Sequence, residues 1–199
     1  AHEGVDPSAY SREFVYNAAQ AYREGLAEGG SSSSSSAKGG GGGGALDASS
    51  GVVRPEALML RAHRETAVAG SATVAIAVLE DQSNQLSFAN LGDSGVKIIR
   101  DGSVIAESTS QQVEFNMPFQ LGYPKYMPQT NTVDDAEVQK MTVQAGDILL
   151  VATDGFLDNC FDDELLQAID ALGKKERVTS AALGDMAQTL ALMAFEKSL

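Results

Sequence analysis

The amino-acid sequence predicts an α+β fold in which helices cover antiparallel sheets. Helical periodicity occupies both ends of the chain, and short apolar runs separated by tight turns occupy the middle. Between two of these runs, Asp101-Gly102 is a strong signal for a β-hairpin. No internal repeat interrupts this order, so we expect a single domain over residues 1–199.

Two helices are predicted ahead of the strands. Apolar residues recur at three- and four-residue intervals over 8–26, and a second helix begins after Pro55 and reaches about Val68. Six serines and then six glycines lie between these helices, and such runs have no side chains that could build a core. We therefore expect a flexible Ser/Gly-rich insertion at 29–51 within one domain.

The strands follow the second helix and precede two further helices. An apolar run introduced by the turn Ala145-Gly146-Asp147 forms the last predicted strand. Acidic residues favour a helix start at 162, Gly173 ends that helix, and Ser180–Lys197 forms the final one. The predicted strands are 72–79, 86–91, 96–100, 103–106 and 148–152.

Composition excludes several classes of function. The formal net charge of −13 disfavours nucleic acid and anionic lipid as partners, because both would repel an acidic surface. Cys160 is the single cysteine, so no internal disulfide can form. We expect no membrane span, since no run of about eighteen apolar residues occurs, and no targeting peptide in this chain. The oligomeric state does not follow from composition.

Two acidic turns each follow an apolar strand and are candidates for a metal site. The first contains Gly92-Asp93-Ser94 and the second contains Thr153-Asp154-Gly155. Mg²⁺ and Mn²⁺ prefer oxygen ligands, and a glycine beside an aspartate lets water or backbone approach the ion. Paired ions of this kind activate water for attack on phosphoesters. Asp-Gly is also a common turn pair, so a purely structural role for either turn remains open.

Taken together, four segments resemble the metal-dependent serine/threonine protein phosphatases of type 2C. The third segment, Phe-Asn-Met-Pro-Phe-Gln-Leu, points to the branch found in mitochondria and plastids. The matching segments, in the order that the family has them, are 70–73, 89–95, 115–121 and 146–159.

This resemblance implies an αββα fold, with two antiparallel sheets forming a sandwich flanked by helices. It implies Mg²⁺ or Mn²⁺ as cofactor, a phosphoprotein as substrate, and hydrolysis of phosphoserine or phosphothreonine by metal-activated water. By position, Asp154 would be a core metal ligand and Asp93 would serve an additional, weaker metal. Gly92, Ser94 and Gly155 would support the two turns, with Gly155 permitting a close turn. For Ser94, and for Asp158 and Asn159 beside the ligands, we favour structural roles.

The chain also departs from the family pattern. An early Asp-Gly motif followed by a tryptophan, and a late Asp-Asp pair, would each supply a further ligand. Neither is present at the matching place, since the Asp pairs at 134–135 and 162–163 are better explained as acids of a loop and of a helix start. We therefore expect a partial type-2C phosphatase domain, incomplete at both ends, with weak or absent catalysis by this chain alone. The alternative is a non-catalytic, phosphatase-like binding or regulatory module. Neither the substrate, nor the choice between Mg²⁺ and Mn²⁺, nor the origin of the truncation follows from the sequence.

Gly92-Asp93-Ser94-Gly95 also resembles the nucleophile turn of chymotrypsin-like proteases, but the rest of that machinery is missing. A serine protease needs a histidine base oriented by an aspartate. The only histidines are His2 and His63, and we expect His63 to face solvent on a charged helix. The protease interpretation is therefore rejected.

Overall fold

The computed structural model describes residues 6, 8–29, 46–47, 52–80, 82–173 and 179–199. The helices are α1 (Ala9–Gly29), α2 (Pro55–Glu65), α3 (Asp154–Leu157), α4 (Asp162–Gly173) and α5 (Ser180–Lys197), with a 3₁₀ turn at Val133–Asp135. The strands are β1 (Leu46–Asp47), β2 (Val52–Val53), β3 (Ser71–Ala72), β4 (Val74–Glu80), β5 (Gln85–Leu91), β6 (Gly95–Arg100), β7 (Ser103–Glu107), β8 (Gln112–Glu114), β9 (Met117–Pro118), β10 (Leu121–Gly122), β11 (Glu137–Thr142) and β12 (Ile148–Ala152).

Two three-stranded antiparallel sheets face each other at the centre of the fold. Their strand orders are β11–β5–β4 and β12–β6–β7. Leu86 and Phe88 of the first sheet pack in one apolar cluster with Val96 and Ile98 of the second. Side chains alternate between the two faces of a strand, so the intervening residues of β5 and β6 point outward to the helices.

Helices cover the outer face of each sheet. Tyr10 and Phe14 of α1 and Met59 of α2 pack with Leu91 on the first sheet. On the second sheet, Ile99 packs beneath residues of α4 and α5, which include Leu165, Ile169, Met186 and Leu190. The layer order is therefore helix, sheet, sheet, helix, and the predicted α+β sandwich is confirmed. Among the described residues, no helix is long and apolar enough to cross a membrane.

The predicted helices and strands are present, but the predicted strand 72–79 is divided at Thr73 into β3 and β4, which pair with different strands. The second helix ends at Glu65 rather than near Val68, because Thr66 adopts extended backbone geometry while its N–H still bonds to Ala62 O. The prediction of a Ser/Gly-rich insertion at 29–51 falls mostly outside the described residues. Within that segment, Leu46–Asp47 pairs with Val52–Val53 just beyond it.

His63 is half-buried rather than facing solvent as expected. Its Nδ1 atom lies 3.0 Å from the hydroxyl of Tyr10, whose side chain is fully buried between α1 and α2. Burial lowers the pKa of His63 below its ordinary value of 6.5, and the nearby charge of Arg64 lowers it further. Burial likewise raises the pKa of Tyr10 to about 12. His63 therefore helps to pack the first helix layer as a neutral imidazole.

Stability is expected to fall in mild acid because of His63. With a folded-state pKa below the unfolded value, the unfolded chain binds more protons, so this contribution is present above the unfolded pKa and lost as pH falls below it. Urea unfolding midpoints measured from about pH 8 to about pH 5 should decline more steeply for the wild type than for His63→Gln. Equal slopes for the two proteins would contradict this assignment.

Candidate metal site

Strand pairing brings the two acidic turns together. β6 and β12 are antiparallel neighbours, and Gly95, the first residue of β6, pairs with Ala152, the last residue of β12. The residues before Gly95 and those after Ala152 therefore leave the sheet at the same end. This register places Asp93 and Asp154 on one side of the sandwich, although 60 positions separate them in the chain.

The first turn is locked at Gly92. Its φ is +104°, and a Cβ built there would lie 2.5 Å from both the Phe119 carbonyl oxygen and Thr73 Cγ2. Its N–H donates to Gln111 Oε1 at 3.1 Å, and its carbonyl accepts from the Gln111 N–H at 3.0 Å. Only glycine fits this position, so the turn sets the direction of the next residue, Asp93.

Asp93 lies where negative charge accumulates. Its carboxylate is partly buried, and Gln112 Nε2 donates to its Oδ2 at 3.5 Å. Burial raises the pKa of Asp93 above the ordinary value, and the charges of Asp154 and Asp158 raise it further. Two other carboxylates thus act on the charge of Asp93, and a divalent cation is the species that offsets such repulsion.

The second turn opens directly into a short helix. Asp154 is the first residue of α3 and is exposed, and its Oδ1 accepts from the Gly155 N–H at 2.7 Å. The Asp158 N–H donates to the Asp154 carbonyl at 2.8 Å, so these two acids lie one turn apart on the same helical face. The charge of Asp158 contributes, after burial and the charge of Asp154, to the raised pKa of Asp93, and the structural role expected for Asp158 stays a prediction.

Gly155 and Ser94 differ in how closely other atoms surround them. A Cβ at Gly155 would meet only Thr153 Oγ1, at an ordinary 3.7 Å, so the local backbone does not itself require glycine there. Ser94 is buried, and its hydroxyl lies 2.7 Å from that of Thr73. This contact links the first turn to Thr73, which lies between β3 and β4.

Several residues of the site carried no sequence signal of their own. Thr73 belongs to one of the four matching segments, but its residue type does not mark it as part of a site. No motif contains Gln111 or Gln112. Asn90 is fully buried, and its Nδ2 donates to the carbonyl oxygens of Gly92 and Thr109 at 3.3 and 3.5 Å. Thr73, Gln111 and Gln112 contact the turn from 19 to 21 positions away in the chain, a separation that local sequence patterns do not detect.

The donor set fits a divalent cation in part. Carboxylates and nearby carbonyl oxygens are the ligands that Mg²⁺ and Mn²⁺ prefer. Among the described residues, however, no group of three acidic, histidine or cysteine side chains is close enough to hold one ion. Asp93 and Asp154 are thus suited to supply part of a coordination sphere rather than all of it.

An apolar cleft of about 850 Å³ adjoins the site. It is lined by α1, by β4 and by the last two residues of β12, and Thr73, Ser94 and Thr153 line the end nearest the acidic turns. β4 and β12 are each the outermost strand of their sheet within the described part of the chain. This side of the sandwich therefore presents two strand edges that lack a partner among those residues.

Comparison with known proteins identifies the family. The family model for stage II sporulation protein E (SpoIIE) matches residues 53–194. A protein phosphatase PTC7 homolog of Danio rerio is 38% identical over 130 residues, covering 61% of this chain and 44% of the relative. The chain belongs to the SpoIIE/PP2C-type phosphatase family.

Solved structures of PP2C-type phosphatases share the fold. The photosystem II phosphatase PBCP is 29% identical and superposes with a TM-score of 0.72, covering 96% of this chain and 62% of that structure. The catalytic domain of the phosphatase PstP, solved in complex with two manganese ions, is 17% identical with a TM-score of 0.52, covering 90% of this chain and 74% of that structure. The chain spans between 34% and 52% of the length of the curated relatives that it matches.

Proposed function

We propose that the whole protein containing this chain is a serine/threonine protein phosphatase that hydrolyses phosphoserine or phosphothreonine with metal-activated water. The observation that carries this proposal is the meeting of two aspartate turns at one end of the β6–β12 pair, where Asp154 and Asp158 raise the pKa of Asp93. Membership of the PP2C-type family supports the same reaction.

Asp154 and Asp93 would hold Mg²⁺ or Mn²⁺. When bound, such an ion supplies a water molecule acidified enough to attack phosphorus near neutral pH. This chain's own contribution is to fix the carboxylates in advance: Gln111 clamps Gly92 so that Asp93 is held in place, and the Gly155 N–H orients one oxygen of Asp154. Ligands held by a rigid backbone bind the ion without first having to be ordered.

We propose further that residues 1–199 form part of one phosphatase domain rather than all of it. Two observations support this: the edges of β4 and β12 are unpartnered among the described residues, and the chain matches only part of each relative. Additional strands and ligands from the rest of the protein would cover those edges. Catalysis by this chain alone should then be weak or absent.

The substrate is proposed to be a phosphoprotein within an organelle. Similarity to a photosystem II phosphatase supports a plastid, and the resemblance of segment 115–121 to the organelle branch supports a plastid or a mitochondrion equally. Mg²⁺ and Mn²⁺ are both compatible with an all-oxygen site.

The test is phosphate release from a phosphothreonine peptide, measured for this chain and for the whole protein with and without Mn²⁺. The proposal expects release by the whole protein, abolished by EDTA, and little or none by the chain. If the whole protein releases no phosphate and binds no Mn²⁺ in a calorimetric titration, the phosphatase proposal fails. The non-catalytic binding module would then take its place.

A further inference from the structure

The segment that resembles the organelle branch begins in a hairpin with an exposed apolar tip. β8 and β9 pair antiparallel, with Phe115 and Asn116 at the turn. The exposed fractions are 63% for Val113, 91% for Phe115 and 53% for Met117. We call these three residues the apolar tip. Large apolar side chains that are exposed within so short a hairpin indicate contact with another molecule.

Hydrogen bonds connect the base of this hairpin to the candidate metal site. Gln112 in β8 donates to Asp93 at 3.5 Å, and the preceding Gln111 holds both polar backbone atoms of Gly92. On the returning strand, the Phe119 N–H donates to the Gln111 carbonyl at 3.0 Å. A two-stranded hairpin is only marginally stable alone, so these contacts are what hold it in a fixed direction from Asp93.

The distance from the site to the tip is short. Phe115 follows Gln112 by three residues, which corresponds to about 10 Å of extended chain. A peptide bound in extended form advances by the same amount per residue. A side chain within about three residues of a phosphorylated residue at the metal site could therefore reach Phe115.

The charges around the hairpin restrict what can bind there. Glu114 lies in β8 and is exposed, Asp93 lies at the hairpin base, and Gln111 Nε2 donates to the Asp135 carbonyl at 2.8 Å, which places that acid nearby. Because Glu114 and Asp93 are acidic and the chain carries a formal net charge of −13, a peptide that combines apolar and basic residues is complementary to this hairpin.

We propose that the apolar tip is a docking surface for the phosphoprotein substrate. It contacts an apolar side chain that lies within about three residues of the phosphorylated residue, in a segment that is otherwise basic. This inference rests on the proposed phosphatase function and adds a determinant of substrate choice to it. Phe115 acts in substrate binding and not in the chemical step.

The experiment uses the whole protein with Mn²⁺ and a set of basic phosphothreonine peptides that carry one leucine at successive positions. For each peptide, kcat/KM is divided by the value for p-nitrophenyl phosphate, which is too small to reach the tip. We expect the wild-type ratio to be highest with leucine within about three residues of the phosphothreonine. Phe115→Ala should lower that highest ratio about ten-fold and flatten the profile.

Phe161→Ala is the matched control, because Phe161 is 66% exposed and lies outside the hairpin, just before α4. This variant should retain the wild-type profile. A flat wild-type profile, or equal losses in the two variants, would overturn the docking proposal. So would a change in sedimentation of Phe115→Ala from dimer to monomer with an unchanged profile, since the tip would then be a contact between copies of the protein.

The two proposals fail in different ways. If the wild type hydrolyses p-nitrophenyl phosphate and all peptides without positional preference, the docking surface is wrong and the phosphatase function stands. If it hydrolyses neither kind of substrate, the phosphatase function is wrong and the docking proposal falls with it.

Discussion

Replacing Asp154 by asparagine in the whole protein is expected to lower Mn²⁺-dependent phosphate release by at least about a hundred-fold. The substitution keeps the size of the side chain and removes its negative charge, so a cation at this end of the sheet loses one of its fixed ligands. Asp154 is exposed and its own backbone contacts in α3 persist, so the fold should be preserved. Phosphate release and the circular dichroism spectrum would be measured together.

Asp185→Asn serves as the control for this substitution. Asp185 is an exposed acid on α5, outside both acidic turns, and its loss changes the net charge by the same amount. Calorimetric titration with Mn²⁺ supplies a readout that does not depend on turnover. Equal activity and equal Mn²⁺ affinity in Asp154→Asn and Asp185→Asn would exclude Asp154 as a ligand.

Gly92→Ala is expected to reduce the free energy of unfolding by about 3 kcal/mol or more. Two costs add: the positive φ of +104° strains any residue with a Cβ, and that Cβ would collide with the Phe119 carbonyl and the Thr73 side chain. Because the Phe119 contact is to backbone, the neighbour can yield only if the base of the β8–β9 hairpin moves. Urea denaturation gives the size of the loss.

Gly146→Ala separates the two costs. Gly146 has a similar φ of +97°, yet a Cβ there would have nothing within 4 Å. This control should therefore lose only the smaller amount that backbone strain accounts for. If both variants are destabilised equally, the collision at Gly92 is not real, and the clamp on Asp93 would need another explanation.

The sequence predicted those helices and strands that have a clear apolar pattern. Ile148–Ala152 and Ser180–Lys197 have the predicted bounds, since an uninterrupted apolar run and a regular helical period both mark their own ends. β11 was missed because it is an outer strand of its sheet, among the described residues, and its polar residues, including Glu137 and Lys140, interrupt the apolar pattern. The pairing of β8 with β9 was missed because so short a hairpin has no period to detect.

The sequence predicted the site as two separate turns. The contacts that bring these turns together could not be predicted from neighbouring residues in the chain. The pairing of Gly95 with Ala152 depends on a register between strands that are far apart in the chain. The burial of His63 depends in the same way on Tyr10, which lies 53 positions earlier. The sequence motifs identified Asp93 and Asp154 as candidate ligands. The side chains that hold the first turn in place, and the charges that act on Asp93, are found only from the tertiary structure.

The two consecutive isoleucines of β6 have a consequence for how motion reaches the site. Ile98 lies between the sheets and Ile99 lies against α4 and α5. The strand β6 therefore contributes side chains to two separate hydrophobic clusters. If packing in one of these clusters is lost by local unfolding, the side chains of β6 in the other cluster still hold the strand in place. Since β6 begins at Gly95, directly after the first acidic turn, we expect local opening of the outer helices to leave that turn in place.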